Sequence, residues 1–213
     1  MNVLGWYHQR RMLNAMVQNQ WTEAETHIRK LLVLQGKSMG LEYNLAVVLL
    51  GLEQNEEAFQ MLLSCVERYG ESLRLCRLLG DIQYGRGNRE DSIHWYSLAL
   101  SDNPTEKEKR LLSLRLELLF DSKRFFMIQE KLASLPEART CLETDPQKAF
   151  SLYKEIAEAD PTHVESLNNL GTLFLNEYKD PLAAEEKFSQ VLELVDNSGA
   201  ARNLAKAKKE RQS

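Results

Sequence analysis

Ala24, Ala58, Ser92 and Phe126 stand at intervals of 34 residues. Each lies in a run whose apolar residues recur at i, i+3, i+4 and i+7, the spacing of an amphipathic helix. A fixed period of this length constrains the fold more than composition does. Each period is one supersecondary unit that cannot cover its own apolar face, so neighbouring units must stack. The small residue at three of the four positions marks a close approach of two helices. No convincing alternating strand appears, and only five prolines and ten glycines punctuate 213 residues. The pattern predicts helices of ~12 to 17 residues joined by ~2 to 4.

The clearest unit is LRLCRLLGDIQYGRGNREDSIHWYSLALSDNP, Leu73 to Pro104. Leu79 and Gly80 sit in its first helix, Ser92, Tyr96 and Ala99 share one face of its second, and Pro104 closes it. These positions resemble the tetratricopeptide repeat (TPR), whose 34-residue pattern carries a Leu-Gly pair, then small, aromatic and small residues, then Pro. The match recurs in VESLNNLGTLFLNEYKDPLAAEEKFSQVLEL, with Leu170, Gly171 and Phe174 in the first helix and Ala184, Phe188 and Val191 in the second. Weaker copies supply Ala24, Ile28 and Leu31; Ala58, Leu62 and Cys65; and Ala149, Tyr153, Ile156 and Pro161. The resemblance covers about nine-tenths of the chain and implies an all-α fold, a right-handed α-α superhelix (TPR solenoid) of about six helix pairs, one irregular, with a C-terminal capping helix.

The domain reading is a single TPR-like solenoid over 1–213. Its repeats fall at about 5–38, 39–72, 73–106 and 107–136, then an irregular unit at 137–161, a repeat at 162–196 and a capping helix at 197–211. The irregularity is the interval of 23 residues from Phe126 to Ala149, which leaves SLPEARTCLETD as a stunted first helix or an irregular connector. It places a kink at Leu135 to Asp145, with a partner site or a truncated loop as the other readings. Asn55, Asn88, Asp145, Asp160 and Asp180 precede helical runs as N-caps, and Pro146, Pro161 and Pro181 sit where a first-turn proline loses no hydrogen bond. In the string YGRGN, Tyr84 to Asn88, Gly87 reverses the chain and Asn88 caps the next helix. A phosphate cradle would need a strand before that loop.

Net charge is −4 from 27 basic and 31 acidic residues, so no global positive field exists to hold a nucleic acid. An RNA-binding helical repeat is correspondingly disfavoured, and the basic tail of Lys206, Lys208, Lys209 and Arg211 reads as the solvated back of a cap. No window approaches the ~20 apolar residues of a membrane span, and the chain reads as cytoplasmic. Cys65, Cys76 and Cys141 lack CxxC spacing and read as reduced core residues. His8, His27, His94 and His163 show no zinc-ligand spacing and read as surface or helix-flank residues. No nucleophile elbow, Walker loop or GxGxxG occurs, so no catalytic residue, metal or cofactor is assigned, and the reading is not an enzyme.

The resemblance implies that the first helices of the repeats line a concave groove. Carried across residue by residue, the inward positions are Arg10 and Leu13; Tyr43, Asn44, Val47 and Leu50; Arg74, Arg77, Asp81 and Tyr84; Leu111, Leu112 and Arg115; and Glu165, Asn168, Asn169 and Thr172. Asn44 and Asn169 occupy a position from which peptide-binding members hold a ligand's backbone by an amide. Arg74 and Arg77, on adjacent turns, suit a carboxylate. Asp81 stands where the family's chaperone-tail clamp has an asparagine, so that ligand is not implied. The expected partner is another protein, presenting a peptide or helix with apolar anchors and an acidic residue, within a larger complex. The function read from this is an interaction scaffold or adaptor. The alternative is a dedicated chaperone or assembly factor for a secretion or envelope component.

Overall fold

The computed structural model describes residues 3–212. The fold is all-α, and among the described residues thirteen helices follow one another: α1 (Val3–Val17), α2 (Trp21–Gln35), α3 (Met39–Gly51), α4 (Asn55–Tyr69), α5 (Leu73–Gly85), α6 (Arg89–Ser101), α7 (Glu106–Phe120), α8 (Ser122–Leu132), α9 (Leu135–Thr144), α10 (Pro146–Ala159), α11 (Val164–Asn176), α12 (Pro181–Leu194) and α13 (Ser198–Gln212). None of them is long and apolar enough to cross a membrane. Two compact units divide within α5, at Met1–Ile82 and Gln83–Ser213.

The 34-residue period is written into the backbone as well as the side chains. Asn19, Glu53 and Gly87 recur at that interval, and all three have positive φ, at 56°, 62° and 77°. Each stands in the three-residue turn of a helix pair, and each turn closes with the same hydrogen bond: Gln20 N–H to Ala15 O, Gln54 N–H to Leu49 O, Asn88 N–H to Gln83 O. A left-handed residue reverses the chain and satisfies a carbonyl at the end of the helix before it. Asn19 and Glu53 accept the strain that Gly87 avoids.

The fourth turn breaks this rule. Only Asp121, at φ −89°, separates α7 from α8, and its carboxylate caps the N–H groups of Lys123 and Arg124. The register therefore slips by one residue. Phe125 is buried at 4% exposure while Phe126, the expected anchor, stands 64% exposed. Ala24, Ala58 and Ser92 are fully buried, as close helix packing requires.

In the first unit α1 packs on α2, α2 on α3 and α3 on α4. Ala15, Ala24 and Val48 form a buried cluster flanked by Trp21 and Leu52. A Cβ on Gly51 would strike the Trp21 indole, so this glycine provides the room for α2 to meet α3. Three polar side chains are buried here, Glu42, His8 and His27. Glu42 accepts two hydrogen bonds from Arg68 at 2.7 Å and one from Tyr69 OH at 2.8 Å. Burial alone would push its carboxyl up, but those hydrogen bonds and the Arg68 charge bring it below the usual range. His8 and His27, expected at the surface, are buried with their Nδ1 atoms 2.8 Å apart, so one ring donates to the other.

In the second unit α6 packs on α7, α7 on α8, and α10 contacts α8, α9 and α11. The stretch left open between a helix and a connector is a helix, α9, of 10 residues packed on α10. Helix α7 also reaches past the α9–α10 pair to α12. Leu111 joins the cluster of Leu167, Phe188 and Val191, and Arg110 pairs with Glu193 at 2.9 Å. Helix α13 packs on α12 through Ala200 and Ala207, with Arg211 on Glu185 at 3.2 Å.

The caps need four corrections. Asp145 and Asp180 cap α10 and α12, with Pro146 and Pro181 in the first turns. Asn55 is instead the first residue of α4. Asn88 holds the N-cap position of α6, but its side chain turns to Gln83 Oε1 at 3.0 Å and makes no capping hydrogen bond. Asp160 ends α10, Pro161 lies in the turn after it, and α11 is capped by His163, whose Nδ1 accepts the Ser166 N–H. All three cysteines are free and buried.

Candidate functional site

In the first unit the expected groove residues stay accessible. Arg10 is exposed on α1, its guanidinium 5.6 Å from the centre of the Trp6 ring, beside a shallow cleft of about 310 Å³ that Gln9, Leu13 and Asn14 also line. Asn44 and Val47 are half-buried on α3. Tyr43, also on α3, lies in the field of three α5 side chains. Burial pushes its phenol up, Arg77 and Arg74 pull it down, and Asp81 adds to the rise. Arg77 Nε stands 3.8 Å from Asp81 Oδ2, with both side chains about one-third exposed. Arg74 is exposed and has no ion-pair partner among the described residues. Two guanidinium groups thus flank one neighbouring carboxylate, which leaves the patch a positive surplus.

The second unit corrects the list. Tyr84 is 3% exposed and cannot meet a partner. Its hydroxyl donates to Asp160 Oδ2 at 3.0 Å, and its ring packs edge-on against Phe125 with centroids 5.4 Å apart. Burial first, then the Asp160 charge, pushes its phenol far above the ordinary range. Arg115 covers Tyr84 and donates to Tyr96 OH and Thr162 Oγ1, both at 2.6 Å. Thr162 in turn donates to Asp160 Oδ1. Leu111 and Leu112 are core residues at 3% and 0% exposure. Tyr84, Leu111 and Leu112 belong to the interior and Arg115 is half-buried beside them, because α7 lies under the 160–163 turn.

Helix α11 keeps its polar face. Glu165 is held by both arms of Arg139 at 2.7 Å. Asn169 lies against the Tyr153 hydroxyl, whose titration is pushed up to about 12 by burial first and the Glu165 charge second. The Oδ1 atom of Asn168 is buried and accepts no hydrogen bond.

No protein-family model matches the sequence, and no curated protein matches it. Solved structures of low identity do. A MamA RS-1 double mutant superposes with a TM-score of 0.50 at 13% identity over 91% of this chain and 96% of that one. MamA residues 41 to the end, from Desulfovibrio magneticus RS-1, gives the same values. TTC0263, a thermophilic TPR protein of Thermus thermophilus, gives a TM-score of 0.50 at 17% identity over 98% and 100%. The chain has the tetratricopeptide-repeat fold.

The TPR frame explains what the Leu-Gly pair does. A Cβ on Gly171 would lie 2.7 Å from Phe188 Cε1, so the glycine of α11 makes room for the aromatic of α12. It does not explain a cavity of about 780 Å³ in the second unit. Leu114 of α7, Phe150 of α10 and Leu167, Leu170 and Phe174 of α11 line its apolar part, and Tyr178 stacks on Phe150 with centroids 4.6 Å apart. Its rim charges pair among themselves, Arg110 with Glu193 and Lys187 with Glu186. No sequence signal marked this cavity, because it arises where α7 meets α12 across the irregular pair. Among the described residues, no group of three or more His, Cys, Asp or Glu side chains is placed to hold a metal ion.

Proposed function

We propose that this TPR-fold chain is a non-enzymatic protein-interaction scaffold that holds a peptide or helical segment of a partner against the first helices of its repeats. The observation that carries the reading is the α3–α5 patch of the first unit. Arg74 has no ion-pair partner among the described residues, Arg77 is only loosely engaged by Asp81, and half-buried Tyr43, Asn44 and Val47 lie on the facing helix. Exposed guanidinium groups next to half-buried apolar and amide groups suit a segment with apolar anchors and an acidic residue. The partly buried site also strengthens a charge-assisted contact relative to open water.

In the second unit the half-buried amide of Asn169 on α11 suits the backbone of an extended chain. Each unit thus offers its own contact, and the same ligand need not use both.

The test is affinity capture from native lysate with wild type and the Arg74→Glu/Arg77→Glu double variant. The reading expects a co-purifying protein that the variant loses while its circular dichroism and melting curve stay unchanged. Identical capture by both proteins would remove it.

A further inference from the structure

The register slip at Asp121 turns one face of α8 outward, uncovered among the described residues. Phe125 and Ile128 point into the core. Lys123, Phe126, Met127 and Glu130 stand at i, i+3, i+4 and i+7 and form the opposite stripe. Phe126 is 64% exposed and Met127 59%, and Phe120, at the end of α7, is 64% exposed. Arg89 fixes that end of α7 by donating to the carbonyls of Leu119 and Phe120. Three large apolar side chains within eight residues amount to a patch of the kind that marks interaction sites.

The charges around this stripe are asymmetric. Lys123 and Arg124 are exposed at the N-terminal end of α8 and have no ion-pair partner among the described residues. Asp121 beside them is spent on the backbone cap. Glu130 lies at the other end, followed by Lys131, which is engaged by Glu155 at 2.8 Å. The face therefore runs from positive through apolar to negative.

We infer that this face of α8 docks an amphipathic helix of a partner protein whose acidic residue meets Lys123 and Arg124 and whose apolar residues cover Phe126 and Met127. A helix matches a stripe that is itself helical, ridge against groove. The carboxylate of Glu130 within the stripe disfavours an anionic membrane surface, where it would be repelled and where two cations hold a protein only weakly. This surface lies in the second unit and stands independently of the α3–α5 patch.

The test uses the full chain and two labelled peptides of ~20 residues, long enough to hold helical structure. Both carry leucines at i, i+3, i+4 and i+7. One has Glu at its flanking positions, and the other has Lys at the same places. Vesicles containing phosphatidylserine are a third arm. Fluorescence anisotropy should show binding of the Glu peptide and at least about tenfold weaker binding of the Lys peptide. Phe126→Ala/Met127→Ala should weaken the Glu peptide about tenfold or more. Lys123→Glu/Arg124→Glu should reverse the preference between the peptides. All four positions are exposed, so unchanged melting curves keep the comparison valid. Equal affinity for the two peptides, binding indifferent to the Phe126/Met127 change, or binding to vesicles alone would overturn the inference.

Discussion

The guanidinium of Arg115 lies 4.5 Å from the centre of the Tyr84 ring, and that ring's hydroxyl donates to Asp160. Both residues sit at repeat positions that line the groove in TPR proteins. Here they face each other across the interior of the second unit and tie α5, α7 and the 160–163 turn together.

Arg115→Ala should therefore cost stability. It removes a cation–π contact and two charge-assisted hydrogen bonds, one of them to the buried Tyr96 hydroxyl. The expected loss is about 3 kcal/mol, with no specific effect on partner capture. Arg115→Lys should recover little, because a single ammonium cannot donate to Tyr96 and Thr162 while lying flat over Tyr84. Urea denaturation of the three proteins checks this.

Gly171→Ala and Gly40→Ala make a second pair. The added methyl at Gly171 meets Phe188, whereas at Gly40 it meets nothing within 4 Å. The first should destabilise by about 1 to 3 kcal/mol through overpacking. The second should be neutral or gain up to about 1 kcal/mol of helix propensity. Thermal melts in parallel decide it, and equal effects would remove the packing account of the Leu-Gly pair.

The first unit should weaken in acid in two stages. Burial and the nearby His8 ring lower the His27 pKa from its ordinary 6.5. The unfolded chain then takes up the proton first, so this contribution is present at neutral pH and fades as pH falls below about 6.5. Glu23 lies on the same side and opposes the shift, while Arg11 and Lys30 add to it. Glu42, whose carboxyl is lowered, contributes above its unfolded range and is lost as pH falls further. Denaturation midpoints between pH 8 and about pH 2 should drop in both windows, the lower one below about 4.5. His27→Gln should flatten the upper window and Glu42→Gln the lower.

Leu170→Ala should cost about 2 to 5 kcal/mol, since Leu170 is 2% exposed among Ala149, Tyr153 and Leu173. Because Leu170 also borders the 780 Å³ cavity, a loss well under 2 kcal/mol would indicate that the cavity collapses to fill the space.

Much of this fold was legible from residues that act locally. Ala24, Ala58 and Ser92 mark close helix contacts, Tyr96 and Phe188 are the aromatic members of their own repeats, and all five are fully buried. Accessible side chains were legible at Arg74, Arg77 and Asn169, which are exposed or half-buried. They were not legible at Tyr84, Leu111 and Leu112, which are buried, nor at Arg115, which is half-buried and engaged by Tyr96 and Thr162. Nothing in the sequence around these four marks the difference, which follows from α7 meeting the 160–163 turn and α12. Phe126 was misread for a smaller reason: a turn shortened to Asp121 shifts the face of α8 by one residue.

The sequence by itself determined the helices, their period and the residues on which each pair closes, because a 3.6-residue apolar pattern and a recurring small-to-aromatic contact act within a few turns of chain. Tertiary structure alone decided which polar groups are spent. Tyr84 and Asp160 are 76 residues apart, and Arg115 and Thr162 are 47. Hydrogen bonds over such separations depend on where whole helices come to rest. Tertiary structure also decided which faces remain open, the α3–α5 patch and the outer stripe of α8, since exposure is what remains after every other helix has packed.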